Sequence, residues 1–335
     1  MSERSTNVLE QYDFRLLKSM RGRGAQLCET DKGLMLLKEY TGSVHRLSVE
    51  QEVLDVLRQE NLSVDSYVKN REEQVLSIDS DGTKYVVKNW FWGRECDVKS
   101  NSEIQTAVKE LARLHEVFRR TSERLSEECK ESMSRFTAPP LLETFEKHQR
   151  ELKKIRTYIR GKQKKTEFEL QILKNFDAFY EEGEQSLKSL KSSAYLELKK
   201  MADAAGWLCH GNYNHHNILM DGRQVSIVNF EKMSVDVQLV DLYLFMRKIL
   251  EKHNWDMEIG RQMLESYRRV LGLSVEDGEV LKYLFSYPEK FWKLVNHYYN
   301  NNKAWIPQKD VEKLNAVVRQ NAIKKKSLDK IFNSY

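Results

Sequence analysis

The chain has 335 residues, 40% of them hydrophobic, and 55 Lys and Arg stand against 50 Asp and Glu for a formal net charge of +5. That length supports one large or two ordinary domains, and the mixed charge lacks the one-signed field of a nucleic-acid binder. The polar start from Met1 to Asp13 has no apolar signal core and no run of about 18 apolar residues follows, so the expectation is a cytoplasmic protein that neither spans nor needs a membrane.

In chain order, Phe14 to Met20, Ala25 to Thr30 and Leu34 to Tyr40 read as strands, separated by Arg21-Gly22-Arg23-Gly24 and Asp31-Lys32-Gly33. Val44, Leu47, Val53, Leu54 and Leu57 recur at helical spacing. Two further strands, Gln74 to Ile78 and Lys84 to Trp90, flank Asp79-Ser80-Asp81-Gly82, which predicts an antiparallel sheet of about five strands interrupted by one helix. The period changes after residue 100. Ile104, Val108, Leu111, Leu114 and Phe118 share a helical face behind candidate caps Ser100, Asn101 and Ser102, and Trp90-Phe91-Trp92-Gly93 marks the boundary. Residues 141–205 form a charged helical section with a basic run around Gly161, read as a solvated helix hairpin, with an acidic substrate or partner as the other reading. An RNA-binding role for residues 150–165 lacks interleaved aromatics beyond Tyr158.

The segment from Leu208 to Glu231 carries the chemistry. His210-Gly211-Asn212-Tyr213-Asn214-His215-His216-Asn217 is followed by Ile218-Leu219-Met220, the turn pair Asp221-Gly222, and Gln224 to Phe230. With Asp221 and Gly222 as the central turn residues, Asn229 lies across from Asn214 and folds back beside Asn212 and Asn217. Such convergence suits a nucleotide and metal site. Cys28, Cys96, Cys129 and Cys209 form no ligand pair and read as reduced structural residues.

This loop resembles His-Gly-Asp-x-x-x-x-Asn of the aminoglycoside-phosphotransferase and choline-kinase-like superfamily, and Leu111 to His115 resembles that superfamily's helix ending in Leu-His. Read together, Arg23-Gly24-Ala25, Cys28-Glu29-Thr30, Gly93-Arg94-Glu95-Cys96-Asp97, Leu208-Cys209-His210-Gly211, Asp241-Leu242-Tyr243 and Phe245-Met246-Arg247-Lys248 are similar to the CotS-like spore coat proteins, from about residue 10 to residue 330. The resemblance implies an α+β, two-lobed, protein-kinase-like fold. Its small antiparallel-sheet lobe with one helix is residues 1–92, and its mostly helical lobe is residues 93–335, holding the catalytic-loop hairpin 208–231. It further implies a nucleotide site with phosphate-binding Lys38 partnered by Glu50, or less well by Glu52, and with Gly22, Gly24, Asn89 and Phe91 nearby. His210 and Asn212 occupy catalytic-loop positions, and Asn217, Asn229 and Glu231 occupy metal positions.

The superfamily's catalytic Asp corresponds to Asn212 and its magnesium-binding Asp to Asn229. An amide accepts no proton at neutral pH and offers magnesium only a dipole. The expectation is a kinase-like spore coat or sporulation protein of the mother cell with weakened or lost phosphotransferase activity. ATP, with Mg2+, is the implied cofactor if nucleotide binding is retained, and other spore coat proteins are the implied partners. The alternative is an active ATP-dependent phosphotransferase for a small hydroxyl or amine acceptor. His215 and His216 are candidate substitute bases, Glu231 is a candidate surviving metal ligand, and Asp241 is expected to cap a helix from Leu242 to His253.

Overall fold

The apolar runs at residues 33–39 and 84–89 become strands buried on both faces, which places them at the centre of a sheet. The computed structural model describes residues 3–222, 224–300 and 308–332. The strands β1 (Leu16–Arg21), β2 (Gln26–Thr30) and β3 (Gly33–Glu39) precede helix α1 (Val44–Gln59), and β4 (Ser66–Val68), β5 (Leu76–Ile78) and β6 (Lys84–Asn89) follow it. The antiparallel sheet runs β1-β2-β3-β6-β4, and β5 also pairs with β6. Exposed β1, which carries Lys18 and Arg21, lies at its edge.

Register decides which lysines meet. Leu36 pairs with Lys88 and Lys38 with Val86 across β3 and β6, so the two lysines share one face of the sheet. Val86 packs on that face with Leu47 of α1, while Met35, Leu37 and Val87 pack on the other with Tyr12 and Cys28.

After β7 (Arg94–Glu95), α2 (Asn101–Thr121) starts at Ser100, whose side chain caps Glu103 N, and continues six residues beyond His115, which is buried within it instead of ending it. The helix α3 (Glu127–Met133) follows, and the same unit is completed by β8 (Leu208–Cys209), β9 (Ile218–Asp221), β10 (Gln224–Ile227) and β11 (Ser234–Val235). The expected turn centre is out of place: Asp221 pairs with Gln224 and so belongs to the ladder, not to the centre of the turn, and residue 223 lies outside the described residues. Asn229 stands beyond the paired ladder and not opposite Asn214.

Chain contacts group Met1–Thr137 with Gly206–Val235, and Ala138–Ala205 with Asp236–Tyr335. The expected boundary near residue 92 separates strand-rich from helix-rich sequence, whereas these units follow packing, and the hairpin after β8 packs with the sheet. Ile227 N–H donates to Ser63 O, and Val64 bridges Ile227.

The second unit contains α4 (Leu141–Gly161), α5 (Glu167–Ser192), α6 (Tyr195–Ala205), α7 (Leu239–Lys252), α8 (Met257–Arg268), α9 (Val275–Ser286), α10 (Glu289–Asn300) and α11 (Gln308–Phe332). A reciprocal capping box of Thr166 and Glu169 starts α5 just after the turn that follows Gly161. Ile155, Phe168, Ile172, Phe291, Val311 and Leu314 belong to its core. Part of the basic run is engaged internally: Arg156 pairs with Asp177 and lies over Phe176, and Lys162 pairs with buried Glu169. Asp241 lies inside the first turn of α7 and does not cap it, because that helix begins at Leu239 after Gln238.

Gly211 is held at φ 72°, and a Cβ there would lie 2.0 Å from Lys232 O. Both strain and overlap oppose a side chain. Gly211→Ala is expected to destabilise the protein by roughly 2–4 kcal/mol in urea unfolding. A change within about 0.5 kcal/mol would contradict this packing of the loop.

Candidate active site

Beneath the sheet face that carries both lysines, Lys88 is fully buried at the end of β6. Its Nζ lies 3.0 Å from Glu50 Oε1 on α1, 3.0 Å from Asp65 Oδ2 just before β4, and 3.5 Å from Glu231 Oε1. The Tyr67 ring lies 4.5 Å from the same nitrogen. Burial disfavours the ammonium, but Asp65 and Glu50 outweigh it and hold Lys88 well above the ordinary lysine value. Glu50 is pushed up by its own burial, against the pull of Lys88.

Lys38 therefore does not pair with Glu50 as expected. Its Nζ lies 2.8 Å from Glu231 Oε1, and both side chains remain partly exposed. Burial raises the Glu231 carboxyl, but Lys88 and Lys38 together bring it down to about 2. The backbone around Glu231 is clamped from α1, where Arg46 donates to Glu231 O at 2.8 Å and to Met233 O at 2.6 Å.

The loop after β8 is organised by its own polar groups. Asn212 N–H donates to His210 Nδ1 at 3.2 Å, which leaves Nε2–H to donate to Val228 O at 3.1 Å. His210 is thus a buried positioning residue. Asn214 Nδ2 and Asn217 Nδ2 both donate to Asn212 O, at 2.8 and 2.9 Å. Asn229 adopts φ 68°, tolerable for Asn, and its N–H donates to Asp65 Oδ2 at 3.2 Å. Its Nδ2 donates to Asn217 Oδ1 at 2.9 Å.

The two metal positions are therefore bonded to each other. The Asn229 amide supplies to the Asn217 oxygen the positive partner that a cation would otherwise supply. Glu231, the remaining carboxylate, already faces two ammonium groups. These residues as arranged do not fit magnesium, which favours uncommitted anionic oxygens. Among the described residues no cluster of three or more His, Cys, Asp or Glu is placed to hold a metal.

These groups open onto a cavity of about 1050 Å³ within the first unit. Leu36, Trp90, Phe91 and Leu219 give it apolar walls, and Gly22, Lys38, Asn212, Asn217, Asn229 and Glu231 also line it. Its volume and mixed lining suit a nucleotide. Gly24 is not part of the lining, and Asn89 is instead tied to Ser66 at 3.1 Å. Glu50 lies behind the cavity with Lys88. Glu52 is half-buried and accepts from Ser126 Oγ at 2.8 Å. At the mouth, Glu95 meets Arg23 Nε at 3.0 Å and His216 Nδ1 at 2.5 Å.

Lys88, Asp65, Arg46 and Glu95 were absent from the expected site. The available signal for Lys88 was its place two residues after Val86, on the same face of the strand as that apolar residue. The cysteines are buried, and burial pushes the Cys28 thiol to about 11 and those of Cys96 and Cys129 to about 12, which keeps them protonated.

Residues 5–331 match the family model described as "Spore coat putative kinase YutH", and the chain belongs to that family. No curated protein matches it in sequence. Among solved structures it is similar to an aminoglycoside phosphotransferase from Alicyclobacillus acidocaldarius subsp. acidocaldarius, with a TM-score of 0.79 and 17% identity, covering 98% of this chain and 94% of that one. It is also similar to spectinomycin phosphotransferase APH(9)-Ia in complex with ADP and spectinomycin, with a TM-score of 0.64 and 11% identity, covering 95% and 96%. A microcompartment-associated aminopropanol kinase gives a TM-score of 0.57 at 14% identity, covering 98% of each chain. The fold is the kinase-like fold of these phosphotransferases.

Lys88→Met would leave Glu50 and Asp65 buried without their cation and is expected to cost roughly 3–5 kcal/mol. Lys38→Met, at a partly exposed pair, should cost no more than about 1 kcal/mol. Urea unfolding of the two variants checks this order. Glu231 has a folded value below the ordinary 4.5, so its contribution is full above that pH and lost as pH falls towards about 2. Glu50, raised by burial, acts in the opposite sense, so the diagnostic quantity is the stability difference between wild type and Glu231→Gln. That difference should narrow between pH 4.5 and the lowest accessible pH, and a constant difference would contradict the pairing.

Proposed function

We propose, taking membership of this spore coat family as the premise, that the protein is a nucleotide-binding, kinase-like component of the spore coat whose phosphotransferase activity is weakened or lost. The observation that carries this reading is the amide pair between Asn229 and Asn217, with Glu231 already balanced by Lys38 and Lys88. A phosphoryl-transfer site needs a base or orienting group for the acceptor and charge compensation for the phosphates. Asn212 can hold a hydroxyl but cannot take its proton, and the metal positions are satisfied internally.

Nucleotide binding is the retained half of the reaction in this reading. The apolar slot holds the base, while Lys38 receives phosphate without a requirement for magnesium, the Gly22 N–H being committed to Ala25 O at 2.9 Å. Association with the spore is supported by the family alone, and contact with other coat proteins is part of the same proposal. The mother-cell cytoplasm as the place of synthesis belongs to the same proposal.

A second reading, an active ATP-dependent phosphotransferase for a small hydroxyl or amine acceptor, is favoured by one contact. His216 lines the cavity with Asn212 and is bonded to Glu95, so a histidine oriented by a carboxylate is available as a substitute base.

Thermal-shift titration separates these readings. ADP and ATP should raise the midpoint equally with and without magnesium, and no shift at millimolar nucleotide would overturn nucleotide binding. Asn212→Asp combined with Asn229→Asp should make binding magnesium-dependent and raise ATP turnover by about 10² or more. Measurable wild-type turnover that disappears in His216→Gln would favour the active enzyme.

A further inference from the structure

The helical unit encloses a second cavity of about 200 Å³, built by α7, α11 and the connection from α9 to α10. Its walls include Trp255, Phe291 and Val317, and Lys324 of α11 lies in it, buried. The cationic groups lining it are Arg247, Lys290, Lys313 and Lys324, against the carboxylates Glu251 and Glu289.

Those carboxylates are committed elsewhere. Glu251 receives Arg247 Nη1 at 2.7 Å and Lys290 at 3.1 Å. Glu289 faces Lys293 at 2.6 Å and Arg247 Nε at 3.3 Å, and accepts from Tyr243 Oη at 2.8 Å. Lys313 pairs with Asp310 at 2.8 Å. Lys324 differs from all of them. Its Nζ donates to Ser286 O at 3.1 Å and Tyr287 O at 3.2 Å, at the end of α9, and among the described residues no carboxylate lies within ion-pair distance. An ammonium has three donors, so one remains after these two carbonyls, and the Trp255 ring lies 5.5 Å from the same nitrogen.

Burial without a counter-ion brings Lys324 down to about 7, with Glu251 and Glu289 pulling it up and Arg247 pushing it down. Buried ammonium groups are ordinarily paired. Here a cavity adjoins one held by two carbonyls and an aromatic face, without a carboxylate among the described residues.

We propose that this cavity binds a small carboxylate with a planar or branched apolar body, its carboxylate on Lys324 and its body against Trp255, Phe291 and Val317. The volume lies below the usual range for ligand pockets and limits the occupant to on the order of ten non-hydrogen atoms, which excludes a nucleotide. The apolar wall disfavours a bare inorganic anion. The site lies within the helical unit, and its occupancy is independent of the nucleotide reading.

Isothermal titration of the full chain with benzoate, benzyl alcohol, benzylamine and inorganic phosphate tests this. Benzoate should bind at least about tenfold more tightly than the isosteric alcohol, with benzylamine and phosphate weaker still. Lys324→Met keeps the buried stem and should erase the preference of benzoate over benzyl alcohol. Ala316→Phe places a ring in the cavity and should abolish binding of both. Each variant is checked by circular dichroism and thermal unfolding, and if Lys324→Met fails to fold, the wild-type preference and Ala316→Phe carry the test. Equal binding of benzoate and benzyl alcohol, tighter binding of phosphate, or unchanged benzoate binding by folded Lys324→Met would overturn the proposal. So would the absence of binding by benzoate, hexanoate and indole-3-carboxylate at millimolar concentration.

Discussion

The fully buried ammonium of Lys88 organises the first unit. It takes Glu50 from α1, Asp65 from the approach to β4 and the edge of Glu231 from the segment after β10, fixing three distant stretches of chain around one charge. Taking such charges out of water is costly, so the cluster holds only because each partner is supplied with good geometry. It acts as a constraint on assembly more than as a source of net stability.

Two consequences run outward from that cluster. Glu50 is consumed by Lys88, which frees Lys38 to reach Glu231 at the cavity wall. Asp65 also accepts the Asn229 backbone N–H, which holds Asn229 in its left-handed conformation and aims its amide at Asn217. Buried charge behind the cavity thereby determines which polar groups face it. The resulting surface carries cations and amides where a magnesium-dependent kinase needs free carboxylates.

The helical unit solves a similar problem differently. Arg247 is buried with two carboxylates, and its neighbours Lys290 and Lys293 share them. Lys324 instead rests on the terminal carbonyls of α9, where the helix dipole favours a cation but supplies only partial charge. The contrast between a balanced cluster and a singly buried cation separates structural charge from the group placed to receive a ligand.

The sequence by itself determined the strand-rich start, the helix with Leu47 and Leu57 on one face, the helical remainder and the loop from His210 to Asn217, because these rest on local periodicity, turn chemistry and contiguous spacing. It also made the convergence of Asn229 with Asn217 readable, although Asp221 belongs to the ladder and not to the centre of the turn. The pairing of Glu50 with Lys88 instead of Lys38 was decided only in the tertiary structure. Both lysines lie on the α1 face of the sheet, so proximity in sequence could not choose between them, and strand register with depth of burial did. The same holds for Asp241 within its helix and for Lys324 beside its cavity: charge and burial are properties of what packs around a residue, and a linear pattern does not contain them.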